Sequence, residues 1–187
     1  FLVNVVGTLF INLVSFKDDK FPFSPGVLAV TAKTLQIGAN NTEAQIVDAD
    51  IIFNPYYIDN PTYNFGIADN PTYSGFFDIQ SVATHEIGHI LGLLHSGVYN
   101  ATMWFEIGTG TNTRSLEQDD KSWLSYRYPN KDSYAKAFGS ITGNIKYGYN
   151  NDPVAGAIVL AVNPVTDYAV VHAYSDVNGN YLIPGLP

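Results

Sequence analysis

The stretch His85-Glu86-Ile87-Gly88-His89-Ile90-Leu91-Gly92-Leu93-Leu94-His95 constrains this chain more than any other. It holds three of the four histidines in 187 residues. Two histidines four residues apart share one helix face, with Cβ atoms about 5–6 Å apart, near enough to bind one metal ion. Gly92 then lets the chain turn and bring His95 back to the same point. The chain has no cysteine, so a metal site must use imidazoles and carboxylates. Three imidazoles suit Zn²⁺ and leave its fourth position for water. The fourth histidine, His172, lies among strand-like residues and reads as structural.

Asp78 is placed to cap the helix that carries this stretch. On a helical projection Ala83, Ile87, Ile90 or Leu91, and Leu94 fall on one face, while Val82, His85, Glu86 and His89 share another. The first face is expected to pack on a sheet and the second to look into a cleft. Glu86, next to the first ligand, is then the general base: it takes a proton from the zinc-bound water and passes it to a leaving amine. That is the chemistry of peptide hydrolysis without a covalent intermediate.

Apolar residues make up 46% of the chain and charged ones 14%, enough for a real core and too few charges for a disordered chain. Seventeen acidic against nine basic residues give a net charge of −8, which disfavours a nucleic-acid surface. No apolar run is long enough to span a membrane, and the richest, residues 1–16, is interrupted by Asn4, Gly7, Thr8, Asn12 and Ser15. That run suits one or two buried strands. Residues 27–37 and 46–53 read as further strands. Two similar turns, Asp59-Asn60-Pro61-Thr62-Tyr63 and Asp69-Asn70-Pro71-Thr72-Tyr73, flank a short strand around residues 65–68. A second helix is expected over residues 116–128, with Ser115 and Gln118 as a capping box and Pro129 as its stop. Residues 131–140 read as a linker. Beyond it, residues 141–145, 157–162, 169–174 and 181–183 are short strand-like runs between Gly, Asn, Asp and Pro turns, the grammar of a small β-sandwich. The chain begins at Phe1 and stops at Pro187 in what reads as mid-domain, so a fragment at both ends is expected.

Residues 85–95 resemble the metzincin zinc-binding pattern HExxHxxGxxH. Ser96, directly after the third histidine, is similar to the matrixin branch of that family. The resemblance continues through Ala49-Asp50-Ile51-Ile52-Phe53-Asn54 and Asp78-Ile79-Gln80-Ser81-Val82-Ala83-Thr84, and downstream through Leu116-Glu117-Gln118-Asp119-Asp120 and residues 126–129. Ile141-Thr142-Gly143-Asn144-Ile145, Pro153-Val154-Ala155-Gly156-Ala157-Ile158-Val159 and residues 175–187 resemble a carboxypeptidase-regulatory-like, prealbumin-like β-sandwich.

The resemblance implies an α+β fold: a metzincin-type catalytic domain of twisted mixed sheet, active-site helix and C-terminal helix, followed by a small all-β sandwich. The domains implied are residues 1–130, truncated at the N-terminus, and a partial module at 141–187. It implies a zinc metalloendopeptidase with one catalytic Zn²⁺ on His85, His89 and His95, and Glu86 as general base. Met103, the only methionine, takes the tight turn beneath the metal. Phe105 stands where some metzincins place a metal-reaching tyrosine, which favours three histidines plus water. Trp104, Phe105 and Ile107 would wall the substrate pocket, and Gly66, Ile67 and Ala68 would form the edge that pairs with an extended peptide. Asp119 and Asp120 match a pair that supports the methionine turn and the N-terminal region in matrixins. No histidines remain before His85 for a second, structural zinc. Calcium held by Asp48, Asp50, Asp59 or Asp69 is conceivable, but no carboxylate spacing supports it. The resemblance further implies an extracellular or cell-surface protein. The rival class is an inactive, protease-like adhesive or ligand-binding surface protein, which intact Glu86 disfavours.

Overall fold

Alternation builds the sheet. In β3 (Ala44–Phe53), Ala49, Ile51 and Phe53 are buried while Asp48, Asp50 and Ile52 point the other way. The computed structural model describes residues 12–16, 21, 23, 25–38, 44–58, 60, 62, 64–67, 75–130 and 137–186. β3 pairs antiparallel with β2 (Ala29–Ile37), with a register shift between Thr34 and Leu35, and parallel with β1 (Val14–Ser15). The result is a mixed three-stranded sheet in the order β1-β3-β2. Residues 1–11 of the apolar N-terminal run lie outside the described residues, and Leu13 and Val14 are exposed rather than buried. Asp50 Oδ1 accepts the Leu13 N–H at 2.9 Å.

Phe53 anchors the core. It stacks on Phe16 with centroids 4.4 Å apart and meets Phe65 edge-on at 5.2 Å. Full burial of such a ring contributes about 2–3 kcal/mol. The short parallel pair β4 (Phe65–Gly66) and β5 (Phe77–Asp78) leads into helix α1 (Ile79–Ile90). Ala68, Asp59 and Asp69 lie outside the described residues.

Helix α1 begins as its sequence expects, with Asp78 Oδ2 accepting the Ser81 N–H at 2.8 Å. It ends at Leu91 and Gly92, whose φ of +87° allows the reversal. The face packed on the sheet differs from expectation. Val82 is fully buried, with Ile79, Ala83 and Ile90 against the same core, whereas Ile87 and Leu94 are exposed. Positions 79, 82, 83, 86 and 90 form one helical stripe, so Glu86 lies on the sheet side, facing β2.

Helix α2 spans Gln118–Arg127 and is capped differently from expectation. Glu117 is the N-cap and Asp120 the reciprocal partner, instead of Ser115 and Gln118. Asp120 Oδ2 accepts the Glu117 N–H at 2.9 Å, so a carboxylate three residues into the helix satisfies the cap. After it come β6 (Gly139–Asn144), β7 (Ile158–Val162), β8 (Ala169–Tyr174) and β9 (Asn180–Leu186), paired as two antiparallel ladders, β6 with β9 and β7 with β8. Ala161, Val171, Ala173 and Ile183 form their shared core, with Trp123 of α2 packed on it. Helices and strands together make an α+β arrangement. No helix among the described residues is long and apolar enough to cross a membrane.

Candidate metal centre

The three imidazoles converge. Their centroids lie 4.7 Å (His85–His89), 5.3 Å (His85–His95) and 4.9 Å (His89–His95) apart. One ring nitrogen from each falls within 4.8 Å of the others, and among the described residues this is the only such group of three that could hold a metal ion. Two rings are fixed by backbone carbonyls: His85 Nδ1 lies 2.7 Å from Thr102 O, and His89 Nδ1 lies 2.9 Å from Leu93 O. A carbonyl can only accept, so each Nδ1 carries the proton and each Nε2 keeps a lone pair for a metal. The donor set therefore fits a zinc-type ion.

Helix α1 supplies His85 and His89 one turn apart, and Gly92 returns the chain so that His95 completes the group. Gly88, between the two, lies over Met103: a Cβ there would sit 2.2 Å from its Sδ. Met103 is buried, and its carbonyl accepts the Ser96 N–H at 2.6 Å. The Met103 turn is held by Asp120, which accepts the N–H of Thr102 at 2.9 Å and of Met103 at 3.1 Å. Asp119 serves another segment. Its Oδ2 accepts the Ser96 hydroxyl at 2.6 Å, and its Oδ1 accepts the His172 N–H at 2.8 Å.

Two side chains that the sequence did not mark stand beside the centre. Thr31 of β2 places Oγ1 2.7 Å from Glu86 Oε2 and 3.0 Å from Glu86 O. Lys33 donates Nζ to His89 O at 2.7 Å, a cation at the C-terminal end of α1 where the helix dipole favours it. Ala29, Thr31 and Lys33 share one strand face, so alternation aims all three at α1. Alternation puts Thr31 on that face but does not mark it as the partner of Glu86.

The cleft over the imidazoles has a volume of about 980 Å³. Residues 26–31, Lys33, Trp104, Phe105 and Ile107 line it, and Ile107 also packs on the core that holds Ala29. Gly66 and Ile67 do not line it. Gly66 is stacked beneath the Phe76 ring, 2.7 Å from where its Cβ would stand, and Ile67 is exposed.

The matrixin family model matches residues 14–129, more than half of the chain. The chain belongs to the matrixin family. This matrixin is 47% identical over 51 residues to metalloendoproteinase 2-MMP of Arabidopsis thaliana, covering 27% of the chain and 14% of that relative. It is 52% identical over 44 residues to metalloendoproteinase 1 of Glycine max, covering 24% and 14%. Against metalloendoproteinase 1-MMP of Arabidopsis thaliana it is 35% identical over 91 residues, covering 46% and 25%. The matrixin thus spans 14–25% of the length of these curated relatives. No solved structure matches it.

Burial sets the electrostatics of the matrixin site. Burial, with the neighbouring imidazoles, lowers His85 from 6.5 to about 4, against the opposing hydrogen bond to Thr102. Burial and then His89 lower His95 as well. Burial raises Glu86, opposed by the Thr31 hydrogen bond and His89. Between pH 6.5 and about 4 the unfolded chain protonates the His85 imidazole while the fold resists it. Stability of the metal-free protein is thus fully present above pH 6.5 and declines through that window, by about 3 kcal/mol from His85. Glu86 acts in the opposite sense above pH 4.5, because the folded state holds its proton longer. The measurement belongs in metal-free Glu86→Gln, where only the imidazoles remain. Urea midpoints that stay level across this range would contradict the assignment.

Proposed function

We propose that this matrixin is a zinc-dependent endopeptidase, with His85, His89 and His95 as ligands of one zinc ion and Glu86 as general base and acid. The observation that carries the reading is the convergence of three imidazole nitrogens within 4.8 Å, on the helix that also presents Glu86. Bound zinc supplies Lewis acidity, which lowers the pKa of water towards about 7 and polarises a scissile carbonyl.

The chain's own groups do the remainder. Thr31 holds Glu86 Oε2, leaving Oε1 to take the proton of the attacking water and deliver it to the departing amine nitrogen. A buried carboxylate with a raised pKa is the stronger base for that step. The His85 and His89 carbonyl partners keep their rings in the tautomer a metal needs. Met103 is the methionine turn under the centre in a metzincin-type fold, with Asp120 as its structural support and Asp119 holding the Ser96 segment beside it. Trp104, Phe105 and Ile107 wall an apolar pocket. An extended peptide lies across the cleft between this wall and the β2 side, the described edge strand that borders it.

The same reading makes residues 1–130 the peptidase domain, 131–140 a linker and 141–187 a partial prealbumin-like β-sandwich, in a secreted or cell-surface protein. Family membership over residues 14–129 and the relatives' metalloendoproteinase names support the peptidase part of this reading. The test combines metal analysis with a peptide library. One zinc per chain and endoproteolysis, abolished by a chelator and restored by Zn²⁺, is expected. Stoichiometric zinc without turnover would move the protein to the adhesive, ligand-binding class.

A further inference from the structure

We propose that His172, on β8 beyond the matrixin match, is a positioning residue for the metal centre, acting through Asp119 on the loop that carries His95. The inference rests on the zinc reading above.

His95 differs from the other two imidazoles. His85 and His89 each have a ring nitrogen on a carbonyl, whereas the His95 ring has no hydrogen-bond partner among the described residues. Its aim therefore depends on its backbone, which lies past the end of α1. Inside the peptidase region that backbone is held by the Ser96 N–H on Met103 O, the Ser96 hydroxyl on Asp119 and the Val98 N–H on Ser96 Oγ, the last at 2.9 Å.

The C-terminal strands supply the rest. Tyr174 donates its hydroxyl to His95 O at 3.2 Å. His172 brings Nδ1 to 3.0 Å and 2.9 Å from Asp119 Oδ1 and Oδ2, besides its N–H on Oδ1. Its own carbonyl accepts Trp123 Nε1–H at 2.9 Å. A Cβ on Gly97 would stand 2.7 Å from Ile158 Cγ2 and 3.5 Å from the His172 ring and Cβ. Strands β7 and β8 are therefore seated directly on the His95 loop.

Ser96, Asp119 and His172 are all buried, where a carboxylate depends on the hydrogen-bond donors the protein gives it. With the His172 ring donor gone, Asp119 would turn towards its remaining donors and draw Ser96 with it. The adjoining third ligand would lose its fixed aim. Partners bonded directly to a ligand change metal affinity by about 10–100-fold; His172 stands further out, behind Asp119 and Ser96, so the lower end of that range is expected.

The experiment follows zinc transfer from the full chain to a fluorescent chelator at a temperature where circular dichroism shows every variant folded. His172→Phe keeps a ring and removes the donor, and its zinc loss should be about ten-fold faster than wild type or more. His172→Asn places an amide N–H near the position of Nδ1 and should restore the rate to within about two-fold. Tyr174→Phe removes one hydrogen bond at a part-exposed site and should release zinc several-fold faster. If His172→Phe does not fold, His172→Gln, whose amide lies one bond further from the main chain than Nδ1, decides the matter: it should also lose zinc about ten-fold faster than wild type. Wild-type rates in the folded variants, or an Asn variant as fast as the Phe variant, would overturn the positioning role alone. A wild-type chain that takes up no zinc would overturn this inference together with the metal-centre reading.

Discussion

Glu86→Gln is expected to lower kcat/KM on a cleaved peptide by about 10²–10⁴-fold, the usual contribution of a positioned general base, with zinc content unchanged. Glutamine keeps the length of the side chain, and its amide oxygen still accepts from Thr31 Oγ1, now 2.7 Å from Oε2. What it cannot do is hold the proton of the attacking water. Because the imidazoles keep their carbonyl partners, metal analysis and peptide turnover should separate. A variant with full zinc and full activity sinks the assigned role. Lost zinc would instead show that Glu86 supports the site structurally.

The largest effect on stability is expected from Asp78→Ala, at about 3–4 kcal/mol. Asp78 is fully buried and is gripped bidentately by Arg114, with Nε–Oδ2 at 2.8 Å and Nη2–Oδ1 at 2.6 Å. Breaking a buried pair costs about 3–5 kcal/mol; Arg114 is partly exposed, which brings its share down to about 2–3 kcal/mol. The same carboxylate caps α1 through the Ser81 N–H and hydroxyl, worth about 1 kcal/mol more. Burial alone would raise the Asp78 pKa, but Arg114 and Ser81 hold it below the usual carboxylate value. Urea unfolding should show a lower midpoint at an unchanged m-value. A loss under about 1 kcal/mol would mean that the pair carries no such weight.

The convergence of the three histidines was legible because 3.6-residue periodicity and a glycine stop fix their relative placement locally. The same holds for the Asp78 cap and for β2 and β3, apart from a residue or two at their ends. What escaped the sequence depends on distant segments. Thr31 reaches Glu86 across fifty-five residues, and no local pattern distinguishes it from any strand threonine. The face of α1 was misjudged because Val82 and Glu86 sit one turn apart on the sheet side, where a carboxylate is tolerated only through that threonine. Helix α2 was found, but its cap was not. Its buried residues are Asp119, Asp120 and Ser122, so apolar periodicity says little about which way it faces. His172 was marked as structural, yet nothing in its strand revealed that its partner would be an aspartate fifty-three positions earlier.

Helix α2 has a second set of obligations. While Asp119 bonds Ser96 and Asp120 holds the Met103 turn, Ser122 donates its hydroxyl to Gly185 O at 3.0 Å and Trp123 packs into the core of β7, β8 and β9. Gly185, at φ +68°, lies so close that a Cβ would stand 2.7 Å from Ser122 Cβ. A helix common to two cores ties their opening reactions together, so the boundary drawn by sequence resemblance near residue 130 is not a boundary of cooperativity. Substitutions in the terminal strands are then expected to alter how often the region around the three imidazoles opens, even without any change in the imidazoles themselves.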